Sequence, residues 1–230
     1  MLCLPGGLAT APFYDDVLAE PALAADASVE AYAALAGNLA RDLGCHAVVG
    51  HSFGANVAIE MAVGGYFGGH LILLEPTFSA EDEMRGLATF NRIGYVPGLR
   101  SLVTALLFRG FPKMLNGEVP PDRIDRLAAE MASNDRAAIR LTLRRSFEYL
   151  YRHGTIAGRL CRSGVRAEVV FGEKDEVGMI PTERSALESC PTTRLHLVPD
   201  CGHTLINQKP EWVAKLITEV VAATPSTATN

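Results

Sequence analysis

No stretch of this chain is apolar for long enough to cross a bilayer. Apolar runs such as those at 70–74 and 47–49 fall far short of the roughly 20 residues a span requires. Nor does one charge dominate: 21 basic residues face 26 acidic ones, a net charge of −5. That balance implies no nucleic acid or other polyelectrolyte partner. Cysteine is scarce and irregularly placed, at Cys3, Cys45, Cys161, Cys190 and Cys201. An odd count without a C-x-x-C pair is neither a disulfide framework nor a zinc site. Such thiols read as small apolar residues in a reducing, cytoplasmic setting. Met1-Leu2-Cys3-Leu4 is too short for a signal-peptide core and follows no basic segment. Repeats and low-complexity tracts are missing too. No metal, cofactor or membrane is therefore expected.

What is present is an apolar chain of 230 residues, 48% hydrophobic, which is too rich for intrinsic disorder. Its length suits one domain, or one domain carrying a sizeable insertion. Residues 1–4 form a short apolar run stopped by Pro5-Gly6-Gly7, as a buried strand and turn would be. Across 28–43 apolar residues recur at helical spacing, with Ser28 as N-cap and Gly44 beyond the end. Strands are expected at 47–49, 70–74, 167–171 and 194–198, and helices after Gly54 and over 211–221. Strands alternating with helices predict a mostly parallel α/β sheet covered on both faces.

The middle breaks that rhythm. Residues 76–158 look helical near 81–91, 99–108, 122–132 and 136–151, with no convincing strand. They hold 12 basic and 9 acidic residues, against 9 basic and 17 acidic elsewhere. A basic helical insertion thus interrupts an acidic α/β frame formed by 1–75 and 159–230.

Gly50-His51-Ser52-Phe53-Gly54 is a G-x-S-x-G. Composition alone would produce one in roughly one such chain in twelve, so the string by itself is weak evidence. Its context is stronger, because it follows one expected strand directly and opens the next helix. A serine on that sharp turn stands exposed above the sheet, and the Phe53 N–H at the helix start faces a developing oxyanion.

A serine nucleophile needs a base. His46 and His70 lie at strand entries and His196 within a strand, as core or surface histidines do. His51 adjoins the serine, but neighbouring side chains on a tight elbow diverge. His153, in the insertion, is expected to be solvated. His203, in the loop after the last strand, lies where open parallel sheets gather their ligands. The acid that holds the histidine's tautomer is Asp175, in Gly172-Glu173-Lys174-Asp175-Glu176 after the preceding strand. Glu173 and Glu176 are solvated neighbours. Glu75, at the end of the third strand, is the rival acid.

With these pieces assembled, the chain resembles the α/β-hydrolase superfamily, specifically cap-bearing serine hydrolases. The resemblance rests on Leu4-Pro5-Gly6-Gly7, the elbow through Asn56, the Asp175 loop, and Cys201-Gly202-His203-Thr204 with Pro210-Glu211-Trp212-Val213. It implies that 76–158 roofs the site as a cap. It also implies that the Gly7 N–H, with Leu8 as the alternative, supplies the second oxyanion donor. Leu8 and His51 are expected beside the substrate. Two pieces usual in the superfamily are missing: the two-strand lead-in, and a strand between Gly7 and Ser28. The sheet edge this would expose predicts a homodimer. The expected substrate is a small acyl compound: an ester, lactone or thioester, or a carbon–carbon bond beside a ketone. Apolar residues in the insertion (Leu99, Leu102, Val103, Leu106, Leu107, Phe108, Phe111) suit an apolar acyl group or simple helix packing. The competing class is a ligand-binding module that retains the fold without catalysis.

Overall fold

The computed structural model describes residues 1–4, 27–81, 85–94, 96, 98–116, 119–175 and 179–223. Five strands, β1 (Leu2–Leu4), β2 (Ala47–His51), β3 (His70–Leu74), β4 (Ala167–Gly172) and β5 (Thr193–Val198), form one sheet in sequence order. Every pairing is parallel, with Val49 set beside Cys3 on one side and Ile72 on the other. Parallel strands cannot be joined by hairpins, so each connection crosses a face of the sheet. That geometry explains why β2, β3 and β4 read as continuous apolar runs rather than alternating ones.

Side chains one residue apart leave a strand on opposite faces. Leu71, Leu73 and Val169 accordingly face one cluster with Ala58, Ile59, Met61 and Phe78. Ile72, Leu74 and Val170 face the other, with Val213, Leu216 and Val220. The first face is covered by α1 (Val29–Asp42) and α2 (Phe53–Val63), the second by α10 (Pro210–Ala223). Helix α1 starts where expected: the Ser28 side chain accepts from the Ala31 N–H at 3.2 Å, and Gly44 leaves it at φ 60°. Helix α2 is buried along almost its whole length, as a helix sandwiched between other layers must be.

Between β3 and β4 lie α3 (Arg85–Gly94), α4 (Arg100–Met114), α5 (Pro121–Ser133), α6 (Arg136–His153) and α7 (Ala157–Ser163). The insertion is helical as expected, with shifted limits. Helix α4 runs six residues past 108 through an internal Pro112, while α5 begins on Pro121, whose fixed φ suits a first turn. Asp135 caps α6 by accepting from the Ala137 and Ala138 amides at 2.6 and 3.2 Å. Helices α7, α8 (Pro181–Glu188) and α9 (Leu205–Gln208) were not foreseen, since eight residues or fewer hold too few turns for a periodic signal.

The two ends of the insertion meet where the Ile156 N–H donates to the Phe78 carbonyl at 2.9 Å. Nearby, the buried Asn56 amide holds both backbone groups of Thr77, at 2.8 and 3.1 Å. Glu60 of α2 accepts from Tyr149 of α6 and Arg159 of α7, each at 2.9 Å. Burial, then the Glu60 carboxylate, hold the Tyr149 phenol protonated well above its ordinary range. Among the described residues, β1 is an edge strand, and no helix is long and apolar enough to cross a membrane. The segment between Gly7 and Ser28 that lacks an expected strand lies largely outside the described residues.

Candidate active site

Strand β2 continues two residues beyond 49, and α2 opens at Phe53, so Ser52 alone forms the turn. Its backbone sits at φ 52° and ψ −119°, a conformation that costs a non-glycine residue about 1–3 kcal/mol. The surrounding hydrogen bonds hold it there. The Ser52 N–H donates to Leu74 O at 2.8 Å, and its carbonyl accepts from Ala55 and Asn56 at 2.9 and 3.2 Å. Gly50 is required by the same turn, because a Cβ there would lie 2.4 Å from the Gly54 carbonyl. Phe53 is the first residue of α2, so its N–H is among those a helix leaves without an intrahelical acceptor.

The other two residues come from the ends of β4 and β5, which close tightly on each other. A Cβ on Gly172 would stand 2.3 Å from Cys201 O, so only glycine lets the two loops touch. Glu173 N–H donates to Val198 O at 3.0 Å and Lys174 N–H to Cys201 O at 2.8 Å. This backbone zipper carries Asp175 beneath His203. The Asp175 carboxylate lies 3.0 and 3.1 Å from His203 Nδ1, and His203 Nε2 lies 3.1 Å from Ser52 Oγ. The Asp175 side chain is 1% exposed and that of His203 23%. An Nδ1–H donated to the carboxylate leaves the Nε2 lone pair facing the serine hydroxyl. Cys201, two residues away, is fully buried with its thiol on the Gly202 carbonyl, and all five cysteines are free.

Glu75 is fully buried below this trio, at the end of β3 with φ 52°. It faces His51: its Oε2 lies 3.1 Å from His51 Nε2 and accepts from the Leu205 N–H at 3.2 Å. His51 Nε2 is also 3.0 Å from the carbonyl oxygen of His203. Burial, foremost, and the Asp175 charge raise the Glu75 carboxyl, against the opposing pull of His51 and His203. One ligand atom each of Glu75, Asp175 and His203 falls within 4.8 Å of the others, the proportions of a cation site. Asp175 and His203 are here hydrogen-bonded to each other instead.

The remaining sequence-selected residues are scattered. His70 and His196 flank the Glu168 carboxylate on β4, at 3.3 and 2.7 Å. His153, expected in solvent, instead meets Glu30 at 3.4 Å and the Tyr149 ring, because α6 packs back onto α1. Glu173 is exposed, while Gly7, Leu8 and Glu176 lie outside the described residues. The insertion reaches the elbow through Tyr32, whose ring meets Phe53 edge-on and whose hydroxyl lies 3.5 Å from Thr142 of α6. A cavity of about 750 Å³ lies within the insertion, between α3, α4 and α6, walled by Phe90, Val103, Leu107, Ile139 and Arg140. Ser52, His203 and Asp175 are not among its lining. The apolar residues of α4 therefore divide: Val103 and Leu107 line the cavity, whereas Leu102 and Leu106 are exposed.

The contribution of Glu75 and His51 to one network was missed in the sequence. Its signal was there, in an acid and a histidine at the ends of neighbouring strands, but register alone places side chains on facing positions.

Comparison with known proteins agrees with this architecture. An esterase from Exiguobacterium antarcticum superposes with a TM-score of 0.72 at 15% identity, over 96% of this chain and 91% of that one. MenH from S. aureus gives 0.71 at 14% identity, over 96% and 92%. A thermophilic esterase from Thermogutta terrifontis gives 0.70 at 16% identity, over 97% and 89%. Likeness at such identities establishes the fold. No curated protein matches the sequence. The family signature is found in the chain itself: residues 7–216 match the alpha/beta hydrolase family, to which this protein belongs.

Proposed function

We propose that the protein is a serine hydrolase that cleaves a carboxylic ester, or a related lactone or thioester, through an acyl-enzyme on Ser52. The observation that carries this reading is the unbroken hydrogen-bonded line from Asp175 through His203 to Ser52 Oγ. Binding alone requires none of the three. Ser52 attacks the acyl carbon as His203 Nε2 takes its proton, and Asp175 stabilises the imidazolium. The Phe53 N–H receives the oxyanion, with the Gly7 N–H as the second donor that the family resemblance implies. His203 then protonates the leaving group, and water resolves the acyl-enzyme with the same base. The route needs no cofactor. The helical insertion, tied to the elbow through Tyr32 and Thr142, serves as the cap over the acyl group. Two of the similar structures are named as esterases, which makes esters the first substrates to test.

A fluorophosphonate probe tests the reading. Wild-type protein is expected to be labelled, and Ser52→Ala to lose the label while keeping its circular dichroism. Folded wild-type protein that resists the probe would overturn the hydrolase reading. Label surviving in Ser52→Ala would move the nucleophile elsewhere.

A further inference from the structure

We infer that Glu75 is a positioning residue which, together with His51, holds the His203 loop in register with Ser52. The inference rests on the triad reading above and gives that site a buried support. Three contacts converge on the support. The Leu205 N–H donates to Glu75 Oε2, His51 Nε2 meets the same oxygen, and His51 Nε2 also meets the carbonyl of His203. With the proton on Nε2, His51 donates to both acceptors, so the peptide groups on either side of Thr204 are held from below. The loop carrying the base is thereby fixed at two backbone points independently of its imidazole.

Two features set Glu75 apart from an ordinary core residue. Its left-handed backbone, at φ 52°, aims the side chain of a β-strand end into the core, and no glycine is there to relieve the strain. Its second oxygen, Oε1, is buried with no hydrogen-bond partner among the described residues. A buried carboxylate with one bare oxygen, close to the second carboxylate of Asp175, is a costly arrangement. Packing would be served as well by leucine, so the acid is accounted for by what its other oxygen holds. The groups facing it are His51, His203 and Asp175, with the Leu205 amide. His51, which stands beside the serine in sequence, supports the base in this account.

The test uses kcat and KM on p-nitrophenyl butyrate, together with the rate of fluorophosphonate labelling. Glu75→Ala is expected to lower kcat and the labelling rate about 10- to 100-fold, with KM within about threefold of wild type, because the base is displaced from the nucleophile. Glu75→Gln keeps an acceptor oxygen and is expected to recover kcat to within about fivefold. It also removes a negative charge facing His203, so the acid limb of kcat/KM should move to lower pH by some tenths of a unit. A purely structural acid would show its loss in the yield of folded protein, with kcat, KM and labelling rate of the folded fraction near wild type. Should Glu75→Ala fail to fold, His51→Asn carries the test: it should reduce kcat likewise, and adding Glu75→Gln should cost little more. Wild-type kcat and pH profile in Glu75→Ala would overturn the inference, as would Glu75 and His51 losses that multiply. So would Glu75→Gln abolishing turnover while Asp175→Asn retains it, since Glu75 would then be the acid itself. Labelled wild-type protein with indifferent Glu75 variants rejects this inference alone, whereas unlabelled wild-type protein rejects the hydrolase reading.

Discussion

At the scale of single residues, the site concentrates charge where solvent is excluded. The Asp175 side chain is 1% exposed and meets His203 Nδ1 through both oxygens. Exchanging it for asparagine keeps the shape but permits the wrong imidazole tautomer. Asp175→Asn should therefore reduce turnover by about 10⁴-fold, the scale of the corresponding protease substitution, in an ester assay on protein with unchanged circular dichroism. Glu75 makes a separate prediction about stability. Burial raises its carboxyl in the folded state, so folding is favoured while the group is protonated. That contribution is complete below the unfolded carboxyl range and is lost as pH rises through the folded value. Glutamine does not titrate. The melting temperature of Glu75→Gln minus that of wild type should accordingly grow from pH 4 to pH 7; a difference independent of pH would contradict the assignment. The residue types of the site were readable in the sequence: Ser52 by its elbow, His203 by its loop, and Asp175 by its place one strand earlier. The partnership of Glu75 and His51 was not. Strand order by itself left Glu75 and Asp175 as rival acids, and distance separates them, with Asp175 on the imidazole and Glu75 on His51.

At the scale of elements, close backbone approach decides whether the loops meet. A Cβ at Gly172 would stand 2.3 Å from Cys201 O and 2.7 Å from Gly202 O, against backbone that cannot swing aside as a side chain could. Gly172→Ala should therefore push the ends of β4 and β5 apart. We expect a loss of about 1–3 kcal/mol, the usual range for overpacking, with activity falling beyond what that loss explains. Chemical denaturation beside an ester assay checks both parts, and a variant with wild-type values would show that the loops can yield. Most elements were legible because their signals are local. Ser28 and Gly44 bracket α1, and apolar runs mark the strands. The short helices α7, α8 and α9 were not, and the limits of α4 moved because Pro112 was accommodated inside the helix.

At the scale of the whole molecule, polar contacts tie the helical insertion to the sheet frame, among them Tyr149 on Glu60, a carboxylate that Arg159 also holds. Arg159→Ala leaves Glu60 with a largely uncompensated charge and should destabilise by about 2–4 kcal/mol. Replacing Glu60 and Arg159 together by methionine should cost less than Arg159→Ala alone, because no buried charge is stranded. Equal losses in urea unfolding would argue that packing, rather than charge, joins the two parts. By itself the sequence determined the parallel α/β order and the helical insertion, and singled out the serine, the histidine and two rival acids, because periodicity, turn chemistry and the elbow are written over short spans. Only the tertiary structure decided which carboxylate meets the imidazole and that His51 lies beneath the His203 loop. It also decided that a cavity of about 750 Å³ is walled by the insertion. These are distances between residues far apart in the chain, and they follow from strand register and backbone closure rather than from any local pattern.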